Sequence, residues 1–87
     1  MPQAGRFRRT RWGSPGYVMA EVDEFIARIE ATLNGTAAPG QAVVAGDTRA
    51  TQFRFTRRGG YDDSEVDAAL DRYAEELTRQ ARRAGAP

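Results

Sequence analysis

No cysteine and no histidine occur among the 87 residues, and all 13 cationic side chains are arginine, so lysine is missing as well. These absences exclude a disulfide framework, a thiolate zinc site, a thiol nucleophile, an imidazole base and the commonest metal ligand. Without lysine there is no Walker lysine, Schiff base or lysine general base. Carboxylates, tyrosines, two serines (Ser14 and Ser64) and a few threonines are what remain for chemistry. That inventory argues against an enzyme and gives no reason to expect a cofactor, a metal or a small-molecule substrate. Long apolar runs are missing too. Residues 1–16 carry Arg6, Arg8, Arg9 and Arg11 with no apolar run behind them, which argues against a secretory signal or spanning helix and points to the cytoplasm. Hydrophobic content of 40% with 9 Gly and 4 Pro leaves little core to spare in what reads as one small domain. A partner subunit could complete such a core.

The net charge of +1 hides an ordered pattern. Residues 1–17 hold four Arg and no acid; residues 18–35 hold Glu21, Asp23, Glu24 and Glu30 against Arg28. Residues 36–61 hold four Arg against Asp47, residues 62–78 hold seven acids against Arg72, and the tail adds Arg79, Arg82 and Arg83. A basic block followed by an acidic one occurs twice, which suggests a repeat. Placing Gly16-Tyr17 over Gly60-Tyr61 gives a period of 44 that superposes Glu21, Val22, Asp23, Arg28 and Leu33 on Glu65, Val66, Asp67, Arg72 and Leu77. Upstream, Phe7-Arg8 and Thr10-Arg11 match Phe53-Arg54 and Thr56-Arg57 at a spacing of 46, so the first copy carries two extra residues around Gly13-Ser14-Pro15.

Val22, Ile26, Ile29 and Leu33 are spaced 4, 3, 4, with Phe25 widening the stripe, and Val66, Leu70, Tyr73 and Leu77 repeat those intervals. Such seams predict two amphipathic helices of heptad character. The first runs from about 18 to 33 and stops at Asn34-Gly35. The second starts at Asp62-Asp63-Ser64 with a side-chain cap, Glu65 or Asp67 completing a capping box, and continues to about 84. The expected fold is mainly α: one domain of two arm-turn-helix repeats, 7–33 and 53–84, joined by a linker over 34–52. The helices pair in a coiled-coil-like, parallel way and short extended segments precede each. Residues 41–45 read as an extended piece of the linker. Parallel pairing brings both basic arms to one end. Tyr17 and Tyr61 read as aromatics packing each turn onto a helix base, and Asp23 and Asp67 as first-turn dipole or capping residues. Phe25, whose counterpart is the small Ala69, reads as an internal knob or as an anchor for another protein.

Residues 53–70, Phe-Arg-Phe-Thr-Arg-Arg-Gly-Gly-Tyr-Asp-Asp-Ser-Glu-Val-Asp-Ala-Ala-Leu, resemble the DivIVA-type domain. Its signature is a Phe, a basic glycine turn ending Gly-Tyr-Asp, then Glu-Val-Asp and a helix of coiled-coil character. Residues 7–33 resemble it too, through Gly16-Tyr17 and Glu21-Val22-Asp23-Glu24-Phe25-Ile26. The resemblance implies a cytoplasmic bacterial protein of the cell-division and polar-growth type, and compact tandem members of this kind look most like proteins from actinobacteria. In such relatives the domain forms a parallel helical dimer whose loops meet the membrane. Two departures stand out. The apolar wedge before Gly-Tyr is replaced by Arg58-Gly59 in the second copy, leaving Trp12 as the one candidate wedge, and the long C-terminal coiled coil is missing.

The leading expectation is therefore a non-enzymatic interaction module with a protein partner or self-association through the helix seams. An alternative is peripheral binding to an anionic membrane surface, at the inner face, through Arg6, Arg8, Arg9, Arg11 and Trp12 or through Arg54, Arg57 and Arg58. A third is nucleic-acid binding by the same Arg and aromatic clusters. The strongly acidic second helix and a pI of 8.2 weigh against it.

Overall fold

The computed structural model describes residues 6–85. Its elements are a short strand β1 (Gly16–Tyr17), helix α1 (Met19–Asn34), a short helix α2 (Ala45–Ala50), a second short strand β2 (Phe55–Thr56) and a long helix α3 (Asp63–Gly85). The protein is mainly helical with one two-stranded antiparallel sheet, in which Gly16 pairs with Thr56 and Tyr17 with Phe55.

The local chemistry explains the helix ends. Gly35 adopts φ 76°, ψ 20°, and its N–H bonds the Thr32 carbonyl while Thr36 N–H reaches back to Ala31. This Schellman arrangement needs a left-handed residue that glycine supplies without strain. At the start of α3, Asp62 Oδ1 accepts from Ser64 N (2.9 Å) and Glu65 N (3.3 Å), the side-chain cap expected there. Val18 precedes α1 and offers no side-chain cap.

The core is assembled from Val22, Ile26 and Ile29 of α1, Val66, Leu70 and Leu77 of α3, Tyr61, and Val43. Val22, Ile26, Ile29, Tyr61 and Val66 are fully buried, so the seam positions of both helices supply most of the core. Phe25, Leu33 and Tyr73 pack against it half-buried. Both helices leave the same end: a side-chain carbon built on Gly60 would lie 2.6 Å from the Gly16 carbonyl carbon. Contacts then follow in order along the helices, with Tyr61 on Asp23, Tyr73 on Glu30 and Gln80 on Leu33.

The connection differs from the expected irregular linker. Residues 45–50 form α2, which packs on α3, and Val43 and Thr48 are buried. Arg28 Nε donates to the Gln41 carbonyl and Val43 N–H to Thr32 Oγ1, so residues 41–43 lie along the end of α1. The segment folds because α3 outlasts α1, whose last turn at Leu33 reaches only as far as Gln80 and leaves the flank of α3 beside it uncovered. Burial of Val43 and Ala45 there outweighs the weak propensity of a Gly- and Thr-containing sequence.

Candidate functional site

Each arm reaches across to the helix of the other half. Phe7 stacks edge-on against Tyr61 (5.3 Å, 80°), and Phe53 against Tyr17 (5.3 Å, 60°). Arg8 N–H donates to Glu65 Oε1 and Arg54 N–H to Glu21 Oε1, both at 2.9 Å. The carbonyls of the same two residues accept from the backbone before the opposite helix: Asp62 N to Arg8 O at 2.7 Å, Val18 N to Arg54 O at 2.9 Å. The capping box expected at Glu65 is therefore not closed within the helix. Its carboxylate takes an N–H of the first arm, and the free N–H at residue 62 takes the arm's carbonyl, so the arm fills both halves of the cap.

Tyr17 and Tyr61 are the pivot. Their backbones exchange hydrogen bonds, Tyr17 N to Tyr61 O at 3.0 Å and Tyr61 N to Tyr17 O at 2.9 Å. Tyr61 Oη donates to Asp23 at 2.7 Å and Tyr17 Oη to Asp67 at 2.9 Å. Asp23 and Asp67 thus act as acceptors for the tyrosine of the other half, a role different from the expected dipole or cap. Loss of water around the ring, with the neighbouring Asp67 carboxylate, pushes the Tyr17 hydroxyl up to about 12. Burial raises Tyr61 and Tyr73 in the same direction, opposed at Tyr61 by the Arg6 N–H and reinforced at Tyr73 by Glu30. Glu21 is held below the ordinary carboxylate range, first by the Arg54 N–H and then by its guanidinium.

Glycine makes this close crossing feasible. A side-chain carbon on Gly16 would lie 2.7 Å from the Tyr61 carbonyl oxygen, and one on Gly60 would lie 2.5 Å from that of Tyr17. Gly13 and Gly59, 46 residues apart, both have positive φ, 93° and 86°.

Around this crossing the predicted basic positions gather at one end. Arg6, Arg8, Arg9, Arg11, Arg54, Arg57 and Arg58 are all exposed. Arg9 donates to the Gly59 carbonyl and Arg57 to that of Gly13, which ties the two arms to each other, and among the described residues Arg11 and Arg58 form no ion pair. Arg6 departs from this group by turning along α1 to Glu30 (3.1 Å) and Asp23 (3.6 Å). Trp12 is 77% exposed and Phe55 59% exposed. Phe55 was not singled out from the sequence as a contact residue; two positions on from Phe53 it shares that residue's side of the arm, and both rings lie against Tyr17, with Phe55 the more exposed of the two. No helix of the described residues is long and apolar enough to cross a membrane. No protein-family model, no curated protein and no solved structure matches the chain.

Proposed function

We propose that the chain is a non-enzymatic docking module: a doubled arm-turn-helix unit with coiled-coil-like helix pairing, whose basic tip rests on an anionic membrane surface. The observation that carries this reading is the exposure of Trp12 and Phe55 at the tip, among arginines. A nucleic acid or an acidic protein would answer the charge. The two exposed aromatic rings favour the headgroup boundary of a bilayer, where amphipathic rings and arginines act together. Each Arg near an anionic surface adds about 1 kcal/mol; of the six at the tip Arg8 and Arg54 are paired with Glu65 and Glu21, and the other four suffice for reversible attachment. The acidic flanks of α3 point the molecule away from that surface. The resemblance to the DivIVA-type domain supports placing such a module on the cytoplasmic side of a bacterial membrane, in division or polar growth.

Trp12 is the sole tryptophan, so its fluorescence reports directly on the tip. Mixing the protein with phosphatidylglycerol vesicles should shift its emission to the blue and co-sediment the protein, and 0.5 M salt should reverse both. Neutral phosphatidylcholine vesicles should do neither. Tighter binding to a DNA duplex than to the vesicles, or no sedimentation on anionic vesicles at low salt, would remove the membrane reading.

A further inference from the structure

The two halves differ at one place in a way that leaves a site open. In the second arm's surroundings, Phe25 packs edge-on against Phe53 (6.0 Å, 71°), and the Arg28 guanidinium lies 5.9 Å from the Phe25 ring centre. The surface there keeps a shallow depression of about 240 Å³. At the corresponding positions of the other half stand Ala69 for Phe25, Phe7 for Phe53 and Arg72 for Arg28. Phe7 is half-buried like Phe53, but Ala69 offers it no ring where Phe25 offers one to Phe53. A groove of about 750 Å³ opens there instead, floored by Ile26 and Ala69 and walled by Phe7, Arg72 and Tyr73.

We propose that this groove receives one aromatic side chain of a partner protein, seated beside Phe7 and under Arg72 as Phe25 is seated beside Phe53 and under Arg28. The occupant's chemistry follows from the chain's own filled counterpart. An edge-to-face partner is offered by Phe7 and a cation for the ring face by Arg72, while Ala69, 4% exposed, is the small buried residue over which the ring lies. Arg72 forms no ion pair among the described residues, so it is available to close over the ring. Arg6 and Arg79 at the groove's edges are by contrast engaged, with Glu30 and Glu76. The volume accommodates the ring together with the peptide units on either side, within the usual range of recognition pockets. The groove lies on the helical flank, away from Trp12 and Phe55, so a partner and a membrane can be engaged together.

The test is an NMR titration of the ¹⁵N-labelled chain with N-acetyl-phenylalaninamide, using N-acetyl-alaninamide as the control. Saturable shifts at the amides of Phe7, Ala69, Arg72 and Tyr73, with a Kd in the millimolar range and no response to the control, are expected. Ala69→Phe should block the groove from its floor, so the shifts should vanish while the helical signal is retained. Arg72→Ala should weaken binding about three- to tenfold without lowering the melting temperature. Saturable shifts confined to other residues, or none up to 50 mM ligand, overturn the proposal even if Ala69→Phe fails to fold. Self-association of the wild type that both Ala69→Phe and Trp12→Ser abolish also overturns it, since the occupant would then be Trp12 of a second copy.

Discussion

At the scale of the residue, the tyrosine hydroxyls and Glu21 beneath the second arm carry consequences for pH. The Tyr17 hydroxyl titrates near 12 in the folded protein against 10.0 in an unfolded chain, and Tyr61 and Tyr73 are displaced upward too. A proton held more tightly by the folded state stabilises it below about pH 10, and that contribution is lost as the pH rises toward 12. Denaturant midpoints should therefore fall steeply between pH 10 and 12. Tyr17→Phe should flatten this fall, while at pH 7 it should cost about 1 kcal/mol through the lost bond to Asp67. An unchanged alkaline slope in Tyr17→Phe would show that the hydroxyl is not held as described. Glu21 works in the opposite sense. Its folded value lies below the ordinary 4.5, so its contribution is present above that pH and disappears as the pH drops through the folded value. Glu21→Gln should accordingly make stability less sensitive to acid below pH 4.5, measured by helical circular dichroism against urea.

At the scale of the element, the glycine crossing and the short helix α2 make separate predictions. Gly60→Ala drives a methyl group into the Gly16 and Tyr17 carbonyls, both backbone atoms that cannot swing aside. The cost should be about 1 to 3 kcal/mol or more. Gly46, with nothing within 4 Å of an added carbon, should accept alanine without loss, so a thermal melt of the two variants side by side isolates the crowding from any general effect of glycine. Val43→Ala should cost roughly 1 to 2 kcal/mol by opening the contact between the connection and α3. A null result would reduce α2 to a passive strap. Much of the helical architecture was legible in advance, because the 4, 3, 4 spacing, the Asn-Gly stop and the Asp-rich start each have a local cause. Helix α2 was not, since its six residues carry no seam and its stability comes wholly from the surface it covers. The crossing of the arms was hidden for a different reason. Spacing says that Phe7, Glu65 and Tyr61 are available partners, yet an arm folded onto its own helix and one folded onto its neighbour's present the same sequence pattern. The recurrence of Glu and Asp at 21 and 23 and again at 65 and 67 was the one trace of the clasp, and its bland explanation, acids in a first helical turn, concealed it.

At the scale of the whole molecule, the crossing makes each half depend on the other. The first arm finds its aromatic partner on Tyr61, its carboxylate on Glu65 and its carbonyl's donor at Asp62, all in the second half. The second arm finds Tyr17, Glu21 and Val18 in the first. Neither helix can bury its seam alone, and apart from the Arg6 ion pairs to Asp23 and Glu30 the bonds named for each arm run to the other half. Fragments 1–40 and 41–87, separated in the exposed turn around Gly40, should therefore show no folded monomer when isolated. Mixed at equal concentrations they should regain helical signal with second-order kinetics, because the arms must thread onto partners that arrive by diffusion. In the intact chain the same dependence predicts one cooperative unfolding transition in which Trp12 fluorescence and helical circular dichroism share a midpoint. A first fragment that is monomeric and fully helical by itself would mean that the reciprocal bonds ornament two independent units. A first fragment that folds only as a pair of copies would mean that the clasp is the minimal folding unit and that the connection serves to hold two of its halves at high effective concentration.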